Sequence, residues 1–215
     1  MDSNELESKY VHAVYNDIAQ EFNNTRAYLW QGVKNYLHDK HPDELILDAG
    51  CGNGKNMLYR TDLRFIGCDT SESLLNICRD KGLDVVNANI KSLPFEDNLF
   101  DGVMCIAVLH HIADENDRLS ALNELLRVVK VGCTVLFQVW AREQELNKKF
   151  KPLNDNNDFM VSWNPNIKDK KIQDRYYHLF SEIDIDTLVS KLKNIRIVSK
   201  SYECDNWCFI LEKTK

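Results

Sequence analysis

Two patterns of apolar residues alternate along the chain. Short dense runs at 45–49, 64–68, 83–87, 101–106 and 133–140 read as strands, while segments near 54–60, 72–80 and 116–130 read as helices, the second capped by Ser71. This alternation predicts an α/β fold, a mostly parallel sheet with helices on both faces. Beyond it, 185–192 reads as a helix, and 196–203 with 207–212 as a hairpin turning at Asp205-Asn206. Two segments stand outside this frame. Residues 1–40 carry Val11, Val14, Tyr15, Ile18 and Phe22, then Leu29, Trp30, Val33 and Leu37, at helical spacing, which predicts two helices packed on the sheet. Residues 141–180 are polar and irregular, with Trp163 and Arg175-Tyr176-Tyr177-His178 among them, and are expected to form a lid where open α/β sheets bind substrates.

The chain has 215 residues, 44% of them hydrophobic, enough for one sizeable core, so a single domain over 1–215 is expected. No apolar run approaches a membrane span, and the N-terminal stretch is acidic and polar, unlike a signal sequence, so no membrane association is expected. The seven cysteines are scattered and lack a Cys-x-x-Cys pair, which predicts a reduced cytoplasmic or nuclear protein with no metal of its own. Cys204 and Cys208 are close enough in sequence to pair or ligate, but they flank the hairpin turn and read as core thiols.

The chemistry begins at Asp48-Ala49-Gly50-Cys51-Gly52-Asn53-Gly54, where a buried strand runs into three glycines at every second position. Such a loop lets backbone approach a nucleotide more closely than any Cβ allows. A dinucleotide fingerprint needs its third glycine at position 55, which is Lys55. The spacing resembles instead the S-adenosylmethionine loop of class I methyltransferases. Asp69 closes the second strand about 20 residues later, where a carboxylate accepts both ribose hydroxyls; the alternative is a plain helix cap before Ser71. The resemblance implies that Asp48 holds the amino group of the methionine moiety, directly or through water, and that Asn89, where Asp is common, accepts from the adenine amine. Ile90, Ile106, Ala107, Leu93, Pro94 and Phe95 would shape the cofactor pocket.

Four further blocks narrow the resemblance. They are Val11-His12-Ala13-Val14-Tyr15 with Thr25-Arg26 and Trp30; Ile106-Ala107-Val108-Leu109-His110-His111; Val139-Trp140-Ala141-Arg142-Glu143-Gln144; and Arg175-Tyr176-Tyr177-His178-Leu179-Phe180 with Asp205-Asn206-Trp207. Together they resemble the eukaryotic tRNA wobble-uridine carboxymethyl methyltransferases, whose catalytic domain also occurs fused to a dioxygenase in animals. Two departures stand out: the family's Val-Pro-Trp-His is Val161-Ser162-Trp163-Asn164 here, and its Lys-Pro-Gly is Lys130-Val131-Gly132. The resemblance implies a class I fold with a seven-stranded sheet and a C-terminal antiparallel hairpin, in the stand-alone form of the enzyme. The implied reaction is transfer of the sulfonium methyl to the carboxylate of 5-carboxymethyluridine in the tRNA anticodon loop.

A carboxylic acid of pKa about 4 is already ionised at neutral pH, so this nucleophile needs positioning and no base. Arg26 and Arg175 are the candidates to grip its spare oxygen, with His110 facing the transferring methyl. His12, Tyr15, Trp140, Tyr177 and His178 would form the acceptor wall, and Trp30, Trp163 and Trp207 would pack the lid and helices. A net charge of −6 speaks against RNA, but Lys148, Lys149, Lys151, Lys168, Lys170 and Lys171 concentrate positive charge in the insertion; the plainer reading is that they solubilise a loop. The family also implies a small zinc-binding activator protein as heterodimer partner. The third strand, 83–87, expected at a sheet edge, offers it a ladder to extend. Two alternatives stay open, a small-molecule carboxyl methyltransferase and a noncatalytic binding subunit.

Overall fold

The computed structural model describes residues 1–25, 28–164 and 172–215. The chain opens with α1 (Ser3–Glu7), a wide π turn (Ser8–His12), α2 (Ala13–Asp17) and α3 (Ala19–Thr25), followed by α4 (Gln31–His38). Strands β1 (Leu45–Ala49) and β2 (Arg64–Asp69), helix α5 (Glu72–Asp80), β3 (Val85–Asn87) and β4 (Phe100–Ile106) come next. A 3-10 turn (Leu109–His111) leads into α6 (Glu115–Val128) and β5 (Val129–Trp140). Three short strands, β6 (Phe150–Pro152), β7 (Asp158–Trp163) and β8 (Gln173–His178), precede α7 (Glu182–Ser190), β9 (Ile195–Glu203) and β10 (Asn206–Lys213).

The main sheet has the order β3-β2-β1-β4-β5-β10-β9, parallel from β3 to β5 and closed by the antiparallel β9–β10 hairpin. Side chains alternate across it with period two. Ile46, Met104 and Leu136 face α4, whereas Leu47, Val103, Cys105, Val135 and Phe137 face the core shared with α6 and α7. The sheet order reverses between β1 and β4, so a crevice opens at their carboxyl ends.

Six local expectations are corrected. The segment 54–60 is a series of turns, not a helix: Met57 N bonds Gly54 O and Tyr59 N bonds Asn56 O, three residues back, and Gly54 sits at φ +73°. The first N-terminal helical run packs on α5 and β8 and not on the central sheet; it is broken at Ile18, and Val14 and Ile18 pack against Trp163. The insertion is not irregular, since β6, β7 and β8 form an antiparallel sheet of their own. The closing hairpin turns at Cys204-Asp205, both with positive φ, as a two-residue loop matching strand twist requires. Of this pair, Cys204 is therefore exposed and Cys208 is a core thiol. The edge strand itself is shorter than expected, beginning at Val85.

Helix α4 shows how distant segments are fastened. Its cap residue Trp30 offers no side-chain acceptor, and Glu203 of β9 takes that role: Oε1 accepts from Gln31 N at 2.8 Å and Oε2 from Gly32 N at 2.9 Å. A Cβ on Gly32 would lie 2.7 Å from Glu203 Oε2 and 2.9 Å from Gln138 Nε2, so a larger residue here would push the capping carboxylate aside. Gly32→Ala is therefore expected to destabilise by about 1–3 kcal/mol and Glu203→Ala by about 1 kcal/mol. Because both substitutions remove one contact, the double variant should lose less than their sum, as measured by denaturant unfolding.

Candidate functional site

The crevice is a cavity of about 490 Å³, floored by the ends of β1, β2 and β4 and roofed by the N-terminal helices. Gly50 N and Cys51 N both donate to Cys68 O, at 2.7 and 2.9 Å, which hooks the glycine loop onto β2. The three glycines then serve different ends. A Cβ on Gly50 would meet Val108 Cγ2 at 2.2 Å and one on Gly54 would meet Leu83 Cδ1 at 2.3 Å, so both are dictated by packing. At Gly52, with φ +54°, the nearest atom is Phe22 Cε1 at 3.4 Å, and a Cβ there would stand in the cavity where a ligand fits. Gly50 and Gly52 line the cavity and Gly54 does not.

Two carboxylates shape this end. Asp69 accepts from Gly52 N and Ser71 N, each at 2.9 Å, so it braces the loop and the start of α5 while lining the cavity. Burial pushes its pKa up, opposed by those amide donors. Asp48 is fully buried beneath the floor, where burial pushes its pKa up to about 7. Asn56 donates to its Oδ2 at 3.2 Å, leaving Asp48 Oδ1 and Asn56 Oδ1 as two buried acceptors without a protein donor. Asn56 lines the cavity and Asp48 lies behind it, so an ammonium group here would supply the donors this pair lacks, directly or through water, which fits the methionine end of S-adenosylmethionine. Asn56 was invisible in the sequence because a turn residue eight positions past Asp48 carries no pattern.

At the other end of the cofactor loop, Asn89 Oδ1 accepts from Lys91 N at 2.9 Å, which sets the turn that brings Asn89 and Ile90 to the cavity wall beside Ile106 and Ala107. Leu93, Pro94 and Phe95 are not on that wall. Leu93 N and Arg127 bind Glu124 of α6 and Phe95 packs on Phe100, so this stretch braces a helix instead. The buried Glu7, unmarked in the sequence, holds Ala113 N at 2.9 Å and Lys91 Nζ at 3.1 Å across the roof. His12 reaches Thr70 Oγ1 at 2.8 Å, next to Asp69, and lines the cavity at its cofactor end.

The opposite end of the cavity is an aromatic box. Tyr177 stacks on His110 with centroids 4.8 Å apart and meets Trp140 at 4.6 Å. Trp140 N donates to His110 Nδ1 at 3.2 Å, so the ring proton sits on Nε2. Burial holds the His110 pKa well below its usual value, and the neutral ring is a donor at physiological pH. Arg175 is only 4% exposed, with its guanidinium over the rings of Trp163 at 5.0 Å, Tyr177 at 5.1 Å and Tyr15 at 5.7 Å. Its Nη1 donates to Tyr15 Oη at 3.0 Å, its Nε finds no acceptor, and no carboxylate among the described residues pairs with it.

Strand alternation separates the four residues of the Arg-Tyr-Tyr-His block. Arg175 and Tyr177 face the cavity; Tyr176 and His178 point away, both donating to Asp158 Oδ1, at 2.6 and 2.8 Å. His178 is thus no part of the acceptor wall. Trp30 lines the cavity, Trp163 packs on Phe22 and Arg175, and Trp207 donates to Glu143 Oε2 at 3.0 Å outside it. Lys151 is paired with Asp174 at 3.0 Å. Arg26, Lys168, Lys170 and Lys171 lie outside the described residues.

With this geometry the comparisons agree. A methyltransferase domain family model matches residues 47–137. A tRNA (carboxymethyluridine(34)-5-O)-methyltransferase of Schizosaccharomyces pombe is 34% identical over 226 residues, covering 97% of this chain and 98% of its own. One of Arabidopsis thaliana is 47% identical over 152 residues, covering 69% of this chain and 38% of its own. The Xenopus tropicalis relative, the alkbh8 enzyme of the same description, is 33% identical over 259 residues, and this chain spans 41% of it. Against the Arabidopsis and Xenopus relatives the chain thus spans about two fifths of their length. Among solved structures, the Haloferax volcanii putative methyltransferase in complex with the Trm112 methyltransferase activator shares the fold at TM-score 0.71 and 15% identity, covering 95% of this chain and 98% of that one. The Burkholderia thailandensis 1,6-didemethyltoxoflavin-N1-methyltransferase, with bound S-adenosylhomocysteine, does so at TM-score 0.70 and 14% identity, covering all of this chain and 92% of its own.

The Asp48 carboxyl generates a pH prediction. Its folded pKa of about 7 exceeds the ordinary 3.8, so the unliganded fold gains from protonation below about 7 and loses that contribution as pH rises from about 4 to 7. An ammonium ligand favours the ionised carboxylate. Affinity for S-adenosylhomocysteine should therefore climb with pH, by at most about tenfold per unit, and level off above about 7. Calorimetry in buffers of different ionisation enthalpy should find a proton released at about pH 6 and none at about pH 8. Asp48→Asn should abolish that release, and a flat affinity across the range would contradict the assignment.

Proposed function

Since this chain belongs to the family of the tRNA (carboxymethyluridine(34)-5-O)-methyltransferases, we propose that it methylates the carboxylate of 5-carboxymethyluridine at the tRNA wobble position. The observation that carries this reading is the cation of Arg175, buried beside the cofactor crevice without a protein carboxylate among the described residues. A buried charge left unpaired is costly, and a carboxylate on the acceptor would complete it. S-adenosylmethionine supplies the electrophilic methyl group. The protein's own part is then alignment. The guanidinium fork of Arg175 grips one carboxylate oxygen and leaves the other to attack, while Tyr177 and Trp140 offer faces on which an unpaired uracil stacks. His110 donates through Nε2 and takes no proton, which suits a nucleophile already ionised.

Arg175→Ala should leave S-adenosylhomocysteine affinity nearly unchanged while lowering kcat/KM about a hundredfold. Lysine should rescue poorly, because a point charge lacks the planar fork. The assay compares tRNA bearing 5-carboxymethyluridine with tRNA bearing unmodified wobble uridine and scores transferred methyl as a base-labile ester. Equal labelling of both, or a label that survives mild alkali, would overturn the reading. Efficient esterification of free small carboxylic acids in preference to tRNA would favour the small-molecule alternative.

A small zinc-binding activator is proposed as a partner that extends the sheet at β3. Supporting it, β3 is an edge strand flanked by exposed Asp84 and with Asn87 also exposed, and no described strand pairs with its outer side. Co-expression with the activator should raise solubility and tRNA methylation together, and Val85→Pro, which removes a ladder donor, should reduce both gains. Methylation by the chain alone at the co-expressed rate would count against the partner.

A further inference from the structure

We propose that His111 is a positioning residue, which fixes the direction of the Tyr15 hydroxyl so that Tyr15 orients the Arg175 fork toward the acceptor carboxylate. The inference rests on the acceptor assignment above and adds a residue that touches neither substrate nor cofactor in that scheme.

The direction of every bond in this chain of contacts is forced from one end. His111 Nδ1 lies 2.8 Å from the main-chain oxygen of Tyr176, which can only accept, so Nδ1 carries the proton. In a neutral ring Nε2 is then a bare lone pair, and burial keeps the ring neutral by lowering its pKa to about 3. The Tyr15 hydroxyl lies 2.9 Å from that Nε2 and must donate to it. With its proton committed there, Tyr15 Oη turns its lone pairs to Arg175 Nη1, which donates at 3.0 Å. The remaining 3.5 Å contact with Tyr177 Oη falls to the Tyr177 hydroxyl as donor. One carbonyl of β8 thus sets a tautomer, the tautomer sets a hydroxyl rotor, and the rotor holds one arm of the guanidinium.

Without the lone pair at 111 the Tyr15 proton loses its acceptor, since Arg175 offers only donors, and the hydroxyl is left held by Arg175 and the long Tyr177 contact alone. The 3.0 Å hydrogen bond that fixes one arm of the guanidinium would then be looser, and the aromatic faces would hold the group in place with less control of its rotation.

The test joins a spectroscopic and a kinetic readout on the full chain. Nitrogen-15 spectra of the histidine rings in the S-adenosylhomocysteine complex should show His111 with protonated Nδ1 and bare Nε2, and the Nε2 signal should shift in Tyr15→Phe. With carboxymethylated tRNA, His111→Phe and Tyr15→Phe should each lower kcat/KM by about tenfold to a hundredfold, with cofactor affinity unchanged. The double variant should be no worse than the weaker single one. His111→Gln, which presents an oxygen acceptor near the position of Nε2, should recover most of the activity lost in His111→Phe. Multiplicative losses in the double variant, a Gln variant no better than Phe, or a protonated Nε2 would each overturn the relay. If the wild type is inert on this tRNA, the failure lies with the acceptor assignment, and the relay is then judged on the ring-nitrogen spectrum alone.

Discussion

The organisation of this molecule turns on a buried cation that no carboxylate among the described residues neutralises. Arg175 is buried in a wall of Tyr15, Trp163 and Tyr177, and these rings come from α2, β7 and β8. None of those elements belongs to the central sheet. Facing π surfaces and one hydroxyl offset part of the desolvation of a guanidinium, and the rest stays available to an anionic ligand. The N-terminal helices and the small β6-β7-β8 sheet can therefore be understood as the enclosure that keeps this charge dry, mounted on a standard α/β scaffold.

The scaffold was legible in the sequence because its signals are local. Buried parallel strands appear as short apolar runs, a glycine at every second position marks the loop, and Ser71 caps α5 by accepting from Leu74 N at 3.3 Å. Chemistry at the box was legible as residue types but not as directions. Arg175, Tyr176, Tyr177 and His178 formed one suggestive block, yet strand periodicity sends alternate members to opposite faces, and which pair faces the cavity depends on the register of β8 against β7. The role of His111 was hidden for the same reason: its partners Tyr15 and Tyr176 are 96 and 65 positions away.

Where the sequence misled, tertiary contacts outweighed local preference. Around 54–60 the apolar spacing is compatible with a helix, but Gly54 must sit against Leu83 and Cys78, and Asn56 is drawn down to Asp48. In 141–180 the excess of Asn, Asp and Lys masks a clean alternation in β7, whose Phe159, Val161 and Trp163 are all buried. The polar residues there occupy the outward positions and the turns, so composition concealed a sheet.

The wide π turn over Ser8–His12 has a consequence for how this family can vary. It holds one residue more than a regular helical turn, and so offsets everything before it by about 100° around the helix axis. That offset lets Glu7 reach Ala113 and Lys91 on one flank while Tyr15 reaches His111 and Arg175 on the other. Loss of a single codon here would yield a more regular helix and a worse enzyme, since either the roof latch or the aromatic box would lose its partner. The register of both flanks thus hangs on the residue count of this turn more than on which side chains occupy it.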